Sequence, residues 1–155
     1  MQEIAPQKVF IVHGHDEAAK YAAARFIENL GLKAIILDEQ PSESLTIIKK
    51  FEKYANESDF AIVLLTPDDV GAPIQERDNL KLRARQNVIY ELGYFSSALG
   101  RKGVCVLYKE GVELPSDIYG VVYVPMDKFD GWQLKLMREM KSAGLHFDAN
   151  KFVET

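Results

Sequence analysis

Five short apolar runs punctuate the chain, at residues 9–12, 34–37, 60–65, 104–108 and 121–124. Each is continuous rather than alternating and rich in Val and Ile, the mark of strands covered on both faces of a parallel sheet. Between them the apolar positions recur at three and four residues. Ala19, Ala22, Ala23, Phe26, Ile27 and Leu30 make one helical stripe, closed by Gly31 as a left-handed cap. Ile47, Ile48, Phe51, Tyr54 and Ala55 make a second, with Ser44 and Thr46 ahead of it as N-cap candidates. A third helix is predicted from Ala84 to Leu99, before Gly100. A last one carries Trp132, Leu136, Met137 and Met140 and closes at Gly144. Strands alternating with helices through short right-handed crossovers predict an α/β fold. The expected architecture is a flavodoxin-like, doubly wound, five-stranded parallel sheet in the order 2-1-3-4-5. Residues 110–120, with Leu114-Pro115 among them, read as an irregular crossover between the fourth and fifth strands. No repeat, low-complexity tract or linker divides the chain, so residues 1–155 are expected to form a single domain.

Composition narrows the class. With 47% hydrophobic and 27% charged residues, the chain is neither disordered nor a membrane sequence. The longest apolar runs have the length of strands, far short of the ~20 residues that cross a bilayer. The opening residues MQEIAPQK lack the apolar core of a signal peptide, and the one cysteine, Cys105, sits within VCVLY, so no disulfide framework exists. A cytoplasmic protein without membrane contact is expected. The net charge of -4, from 19 basic and 23 acidic residues, argues against direct nucleic-acid binding. A small nucleotide at a local site remains compatible with it. The basic stretch Lys81, Arg83 and Arg85 is broken by Leu82 and Ala84, and Lys81 and Arg83 read as solvated.

Ligands of open parallel sheets bind beyond the carboxyl ends of the strands, where the connections reverse. That rule selects His13-Gly14-His15-Asp16, Asp38-Glu39-Gln40-Pro41 and Thr66-Pro67-Asp68-Asp69, together with the start of the third helix. On that helix Val88, Leu92, Phe95 and Leu99 share one stripe, and Glu91 lies roughly 70° from its centre, on the flank of Asn87, with Tyr94 just beyond. A carboxylate there would line a cleft wall, or else be a boundary glutamate with a surface partner. Arg85, Gln86 and Asn87 stand where free backbone N–H groups favour anions. Plainer roles stand beside these: Asp16 as an N-cap, Asp68 and Asp69 as solvated loop acids, Trp132 as core packing, and His13 and His15 as capping or supporting residues. No P-loop lysine motif and no metal-ligand cluster is present.

KVFIVHGHDE (8–17), DEQPSESLTIIKKFEKY (38–54), DFAIVLLTPDDVG (59–71), ARQNVIYELGYFSSALGR (84–101) and VCVLYKEGVELPSDIYGVVYVPMD (104–127) carry a family likeness in order and spacing. The chain resembles the bacterial TIR-like domains, including effector domains found with STING or other cyclic-nucleotide sensors in anti-phage defence. In catalytic members of the wider family a glutamate on this helix is required for NAD cleavage, and it maps to Glu91; Asn87 stands where that family often has Trp. The resemblance implies an NAD glycohydrolase releasing nicotinamide and ADP-ribose or a cyclic form, with NAD as substrate and with no cofactor or metal. It also implies self-association through TIR surfaces, with residues 38–45 as the loop that assembles or gates the site, and a fused or separate cyclic-nucleotide sensor. The weaker site assignments are His13 and Gly14, where a missing side chain admits the ligand, with Thr66, Arg85 and Asn87 near a phosphate or ribose. Tyr94 or Tyr90 would stack on a ring, or would only pack. A non-catalytic self-association module and a nucleoside deoxyribosyltransferase-like enzyme are the rival readings. A phosphoacceptor receiver fits poorly, because Leu65-Thr66 ends the third strand where an aspartate is needed.

Overall fold

A computed structural model describes residues 4–153. In chain order the elements are β1 (Lys8–Val12), α1 (Glu17–Asn29), β2 (Lys33–Ile35), α2 (Ile47–Asn56), β3 (Phe60–Leu65), β4 (Asp69–Gly71) and β5 (Lys81–Arg83). They continue with α3 (Gln86–Ala98), β6 (Val104–Tyr108), β7 (Val122–Pro125), α4 (Gly131–Ser142) and the short α5 (Asn150–Val153). The main sheet has five parallel strands in the order β2-β1-β3-β6-β7. This is the expected 2-1-3-4-5 winding once the small β4–β5 ribbon is set aside. Among the described residues no helix is long and apolar enough to cross a membrane.

The continuous apolar strands are explained by burial on both faces. Every residue of β3 is buried, because β3 lies between β1 and β6 with helices above and below. Alternation then sorts neighbouring side chains into two cores. Val9, Ile11, Ile62, Leu64, Cys105 and Leu107 pack with α1 and α4. Phe10, Val12, Ala61, Val63 and Val106 pack with α2 and α3. In the second core Phe10 meets Phe51 edge-on at 5.6 Å and Phe95 at 4.9 Å, which pins α2 and α3 over the centre of the sheet. Trp132 is core packing, as expected, with its ring edge-on to Phe26 at 5.4 Å.

Local chemistry sets most helix ends. Asp16 accepts from the Ala19 amide at 2.9 Å and caps α1. Thr46, not Ser44, caps α2 by accepting from Lys49. Gly31 (φ 83°) and Gly144 (φ 92°) follow α1 and α4 in the left-handed conformation that glycine adopts without strain.

Four expectations are corrected. β2 ends at Ile35, and Leu37–Glu39 form a single 3-10 turn instead of continuing the strand, as the chain leaves the sheet edge. α3 starts at Gln86, with Arg85 as an extended cap residue that makes no side-chain cap bond, while Ala84 is buried outside the helix. The segment before α3 is no plain loop, since β4 and β5 pair antiparallel there. Lys81 and Arg83 are also more than solvated: both reach the Glu113 carboxylate, at 3.6 and 3.0 Å. Leu82 bridges to Val112, so the irregular crossover at 110–120 serves as a third edge for the ribbon.

Candidate active site at the carboxyl edge of the sheet

The turns after β1, β2 and β3 and the first half of α3 converge at one edge of the sheet, as parallel winding requires. α3 buries Val88, Leu92 and Phe95 against the sheet, which leaves Glu91 half-buried on the flank of the helix. No hydrogen bond or ion pair among the described residues holds its carboxylate. Burial pushes the Glu91 pKa up from 4.5 to about 7; the Arg85 guanidinium opposes this and the Asp38 carboxylate adds to it. Glu91 is therefore neither a solvated surface acid nor one arm of a salt bridge.

Asp38, exposed on the turn after β2, stands 3.7 Å from His13 Nε2. The other ring nitrogen, Nδ1, lies 2.9 Å from the Gly14 carbonyl oxygen and donates to it when protonated. On the first turn of α1, Lys20 is only 5% exposed and holds Glu17 at 2.7 Å. The hydrogen bond to Glu17 raises the Lys20 pKa against the cost of burial, with Asp38 contributing in the same direction. The same bond lowers the Glu17 pKa, and His13 adds a small pull. His13, Glu17, Lys20, Asp38, Arg85 and Glu91 thus form one electrostatically coupled group.

Thr66, Gly14 and Tyr94 are each engaged by other parts of the protein. Thr66 is 2% exposed and donates through Oγ1 to Asp68 Oδ2 at 2.6 Å. The same carboxylate oxygen accepts from the His15 backbone N–H at 3.2 Å. A Cβ built on the buried Gly14 would collide with the Asp68 carboxylate and stand 3.1 Å from Thr66 Oγ1. The room left by the missing side chain is taken by Asp68, which is therefore no solvated loop acid. Tyr94 is engaged in packing: it meets Phe51 edge-on at 5.0 Å and donates to Asn56 Oδ1 at 3.0 Å, at the far end of α2. Asn87 and Tyr90 are exposed on α3, while Arg85 is half-buried at its start.

The sequence places Asp38 and Asp68 in the turns at this edge without showing their partners, and Lys20 is the residue it does not single out. The pairing of Glu17 with Lys20 at i, i+3 is a usable signal; the contact of Asp68 with the His15 amide, 53 residues away along the chain, offers none. A cleft of ≈ 730 Å³ lies on the opposite flank of α3, lined by residues that include Arg83, Gln86, Ile89, Glu113 and Leu114. It does not reach Glu91, and its Lys81 and Arg83 side chains both lie against the Glu113 carboxylate. The strongly raised carboxylate of this edge, Glu91, stands apart from that cleft. Among the described residues no cluster of His, Cys, Asp and Glu could hold a metal ion.

The model for the family "CAP12/Pycsar effector protein, TIR domain" matches residues 8–128. The chain belongs to this TIR family. Among its relatives, the uncharacterized protein YuaY of Escherichia coli K12 is 52% identical over 145 residues, covering 94% of this chain and 48% of that protein. Protein tirC of Dictyostelium discoideum is 32% identical, over 76% of this chain and 63% of its own length. The Pycsar effector protein PaPycTIR of Pseudomonas aeruginosa is 38% identical over 79 residues, which cover half of this chain and 25% of the effector. The chain therefore spans about half the length of YuaY and a smaller part of the effector. The same architecture occurs in the Clostridium botulinum CMP N-glycosidase BcmB, with a TM-score of 0.51 at 17% identity, over 85% of this chain and 99% of that one. At that identity the likeness is one of fold. Within the TIR family the Glu91 helix and the turns after β1, β2 and β3 all lie inside the matched segment.

Proposed function

We propose that this TIR domain cleaves the bond between nicotinamide and ribose in NAD, with Glu91 as the catalytic carboxylate. The observation that carries the reading is the half-buried Glu91 side chain, without a hydrogen-bond or ion-pair partner among the described residues and with its pKa near 7. A desolvated carboxylate is stabilised by a cation placed against it, and NAD presents one at the scissile bond. Nicotinamide departs neutral from a pyridinium, so no general acid has to protonate it, unlike the leaving group of an ordinary glycosidase. Positive charge moves onto the anomeric carbon as the bond breaks. Glu91 opposes that charge in a partly water-excluded setting, where electrostatic stabilisation is strongest, or traps the carbon covalently. Addition of water gives ADP-ribose, nicotinamide and a proton; attack by the adenine ring in place of water gives a cyclic product. Arg85 and the start of α3 would meet a phosphate or ribose, with Asn87 beside them. His13 and Asp38 would form the facing wall.

Membership of the CAP12/Pycsar effector family supports an anti-phage role. In this reading the domain is switched on by self-association, driven by a cyclic-nucleotide sensor that is fused to it or separate from it. The test is base release from NAD and from deoxynucleosides by protein at high concentration or clustered on a scaffold. Nicotinamide release without deoxynucleoside base exchange is expected. Base exchange without NAD loss would instead assign a deoxyribosyltransferase, and no turnover in confirmed assemblies would leave a non-catalytic self-association module.

A further inference from the structure

The Asp68 carboxylate occupies the space that a side chain at position 14 would fill. One of its oxygens binds both the Thr66 hydroxyl, at 2.6 Å, and the His15 amide, at 3.2 Å. The Asp68 amide in turn bonds the Thr66 carbonyl at 2.8 Å, so residues 66–68 form a closed turn that presents the carboxylate to the β1 turn. β1 and β3 are adjacent and in parallel register, Val12 against Val63, and Asp68 therefore clasps the ends of two neighbouring strands. His15 is exposed, but Thr66 and Gly14 are buried, which shelters the bond to the Thr66 hydroxyl. A charge-assisted hydrogen bond of this length in such a setting is among the stronger ones. The clasp sets the position of the Gly14–His15 peptide, whose carbonyl oxygen lies against His13 Nδ1 while His13 Nε2 faces Asp38. Asp38 acts in turn on Glu91.

We propose that Asp68 is a positioning residue for the glycosidic-bond site: it fixes the turn after β1, and with it His13, against the wall where the ligand binds. The proposal rests on the NAD-cleavage reading. Asp68 touches neither substrate nor reacting carbon; it acts through Gly14 and His15. Glycine stands at position 14 because Asp68 needs the room. Loosening the clasp therefore impairs substrate capture more than the chemical step. It follows too that Gly14→Ala and Asp68→Ala damage the same element, so their effects are not additive.

The test measures KM and kcat for NAD and the exchange rate of the His15 amide proton in wild type, Asp68→Ala, Asp68→Asn, Gly14→Ala and Asp68→Ala/Gly14→Ala. Asp68→Ala is expected to raise KM about tenfold, the worth of one such hydrogen bond, with kcat little changed. His15 exchange should accelerate. Asp68→Asn keeps an acceptor oxygen and should restore KM towards wild type. Gly14→Ala should resemble Asp68→Ala, and the double variant should be no worse than Asp68→Ala alone. Unchanged His15 exchange in Asp68→Ala, a loss confined to kcat, or simple addition of the two defects would overturn the proposal. If no protein, wild type included, consumes NAD while His15 still loses protection in Asp68→Ala, the NAD reading falls and the clasp stands.

Discussion

Replacing Glu91 by glutamine should make the protein more stable at pH 8 while removing its activity. Glutamine keeps the shape of the side chain and does not ionise. In the wild type the Glu91 pKa stands near 7 in the folded chain, against 4.5 for an unburied carboxyl. Below pH 4.5 the group is neutral in both states and imposes no penalty. Between 4.5 and 7 the unfolded chain ionises first, so wild-type stability falls as pH rises. Above 7 both states are ionised and the full cost of the buried charge remains. That cost is about 2 to 3 kcal/mol, after allowance for the part of the carboxylate that solvent still screens. In a domain of 155 residues it corresponds to about 5 to 10 °C in Tm. The assay is thermal unfolding of wild type and Glu91→Gln at pH 4.5 and pH 8. The two should melt together at the lower pH and separate at the higher, the variant being the more stable. Equal Tm values at pH 8, or a less stable variant, would refute the picture of a desolvated carboxylate without a partner.

Further outcomes follow from the same geometry. If the ionised form of Glu91 is the active one, kcat/KM for NAD should rise with pH to half its maximum near 7. Arg85→Ala removes the cation that favours ionisation and should move that midpoint up, whereas Asp38→Asn should move it down; a midpoint that neither variant shifts would disconnect Glu91 from the activity. Trp132→Ala empties a site only 2% exposed in the α1–α4 core and should cost about 3–5 kcal/mol in denaturant unfolding, with nicotinamide release per folded molecule unchanged.

The sheet was legible because its signals are local. Continuous runs such as Phe60–Leu65 can only be strands buried on both faces, and the stripe of Val88, Leu92 and Phe95 set the sheet-facing side of α3. That stripe placed Glu91 on the flank of α3, as a cleft-wall carboxylate or a boundary glutamate with a surface partner. What escaped depends on partners distant in sequence. β4 and β5 have three residues each and are mostly exposed, so no period marks them; Val112 and Glu113, some thirty residues on, complete them. The same holds for Asp68, whose contacts lie at 14 and 15. Gly14, expected to admit a ligand, has the Asp68 carboxylate in the space that a side chain would fill. Tyr94 sits near Glu91 along the helix, yet Phe51 and Asn56 claim it. A helical projection gives an angle and not the neighbour found there.

Nicotinamide release by clustered wild-type protein, measured beside Glu91→Gln under identical conditions, decides whether Glu91 cleaves NAD. Release by the wild type is expected, with none above background from a variant that is folded and at least as stable. Equal release by both would contradict that role for Glu91, and so would no release by a wild type shown to be assembled.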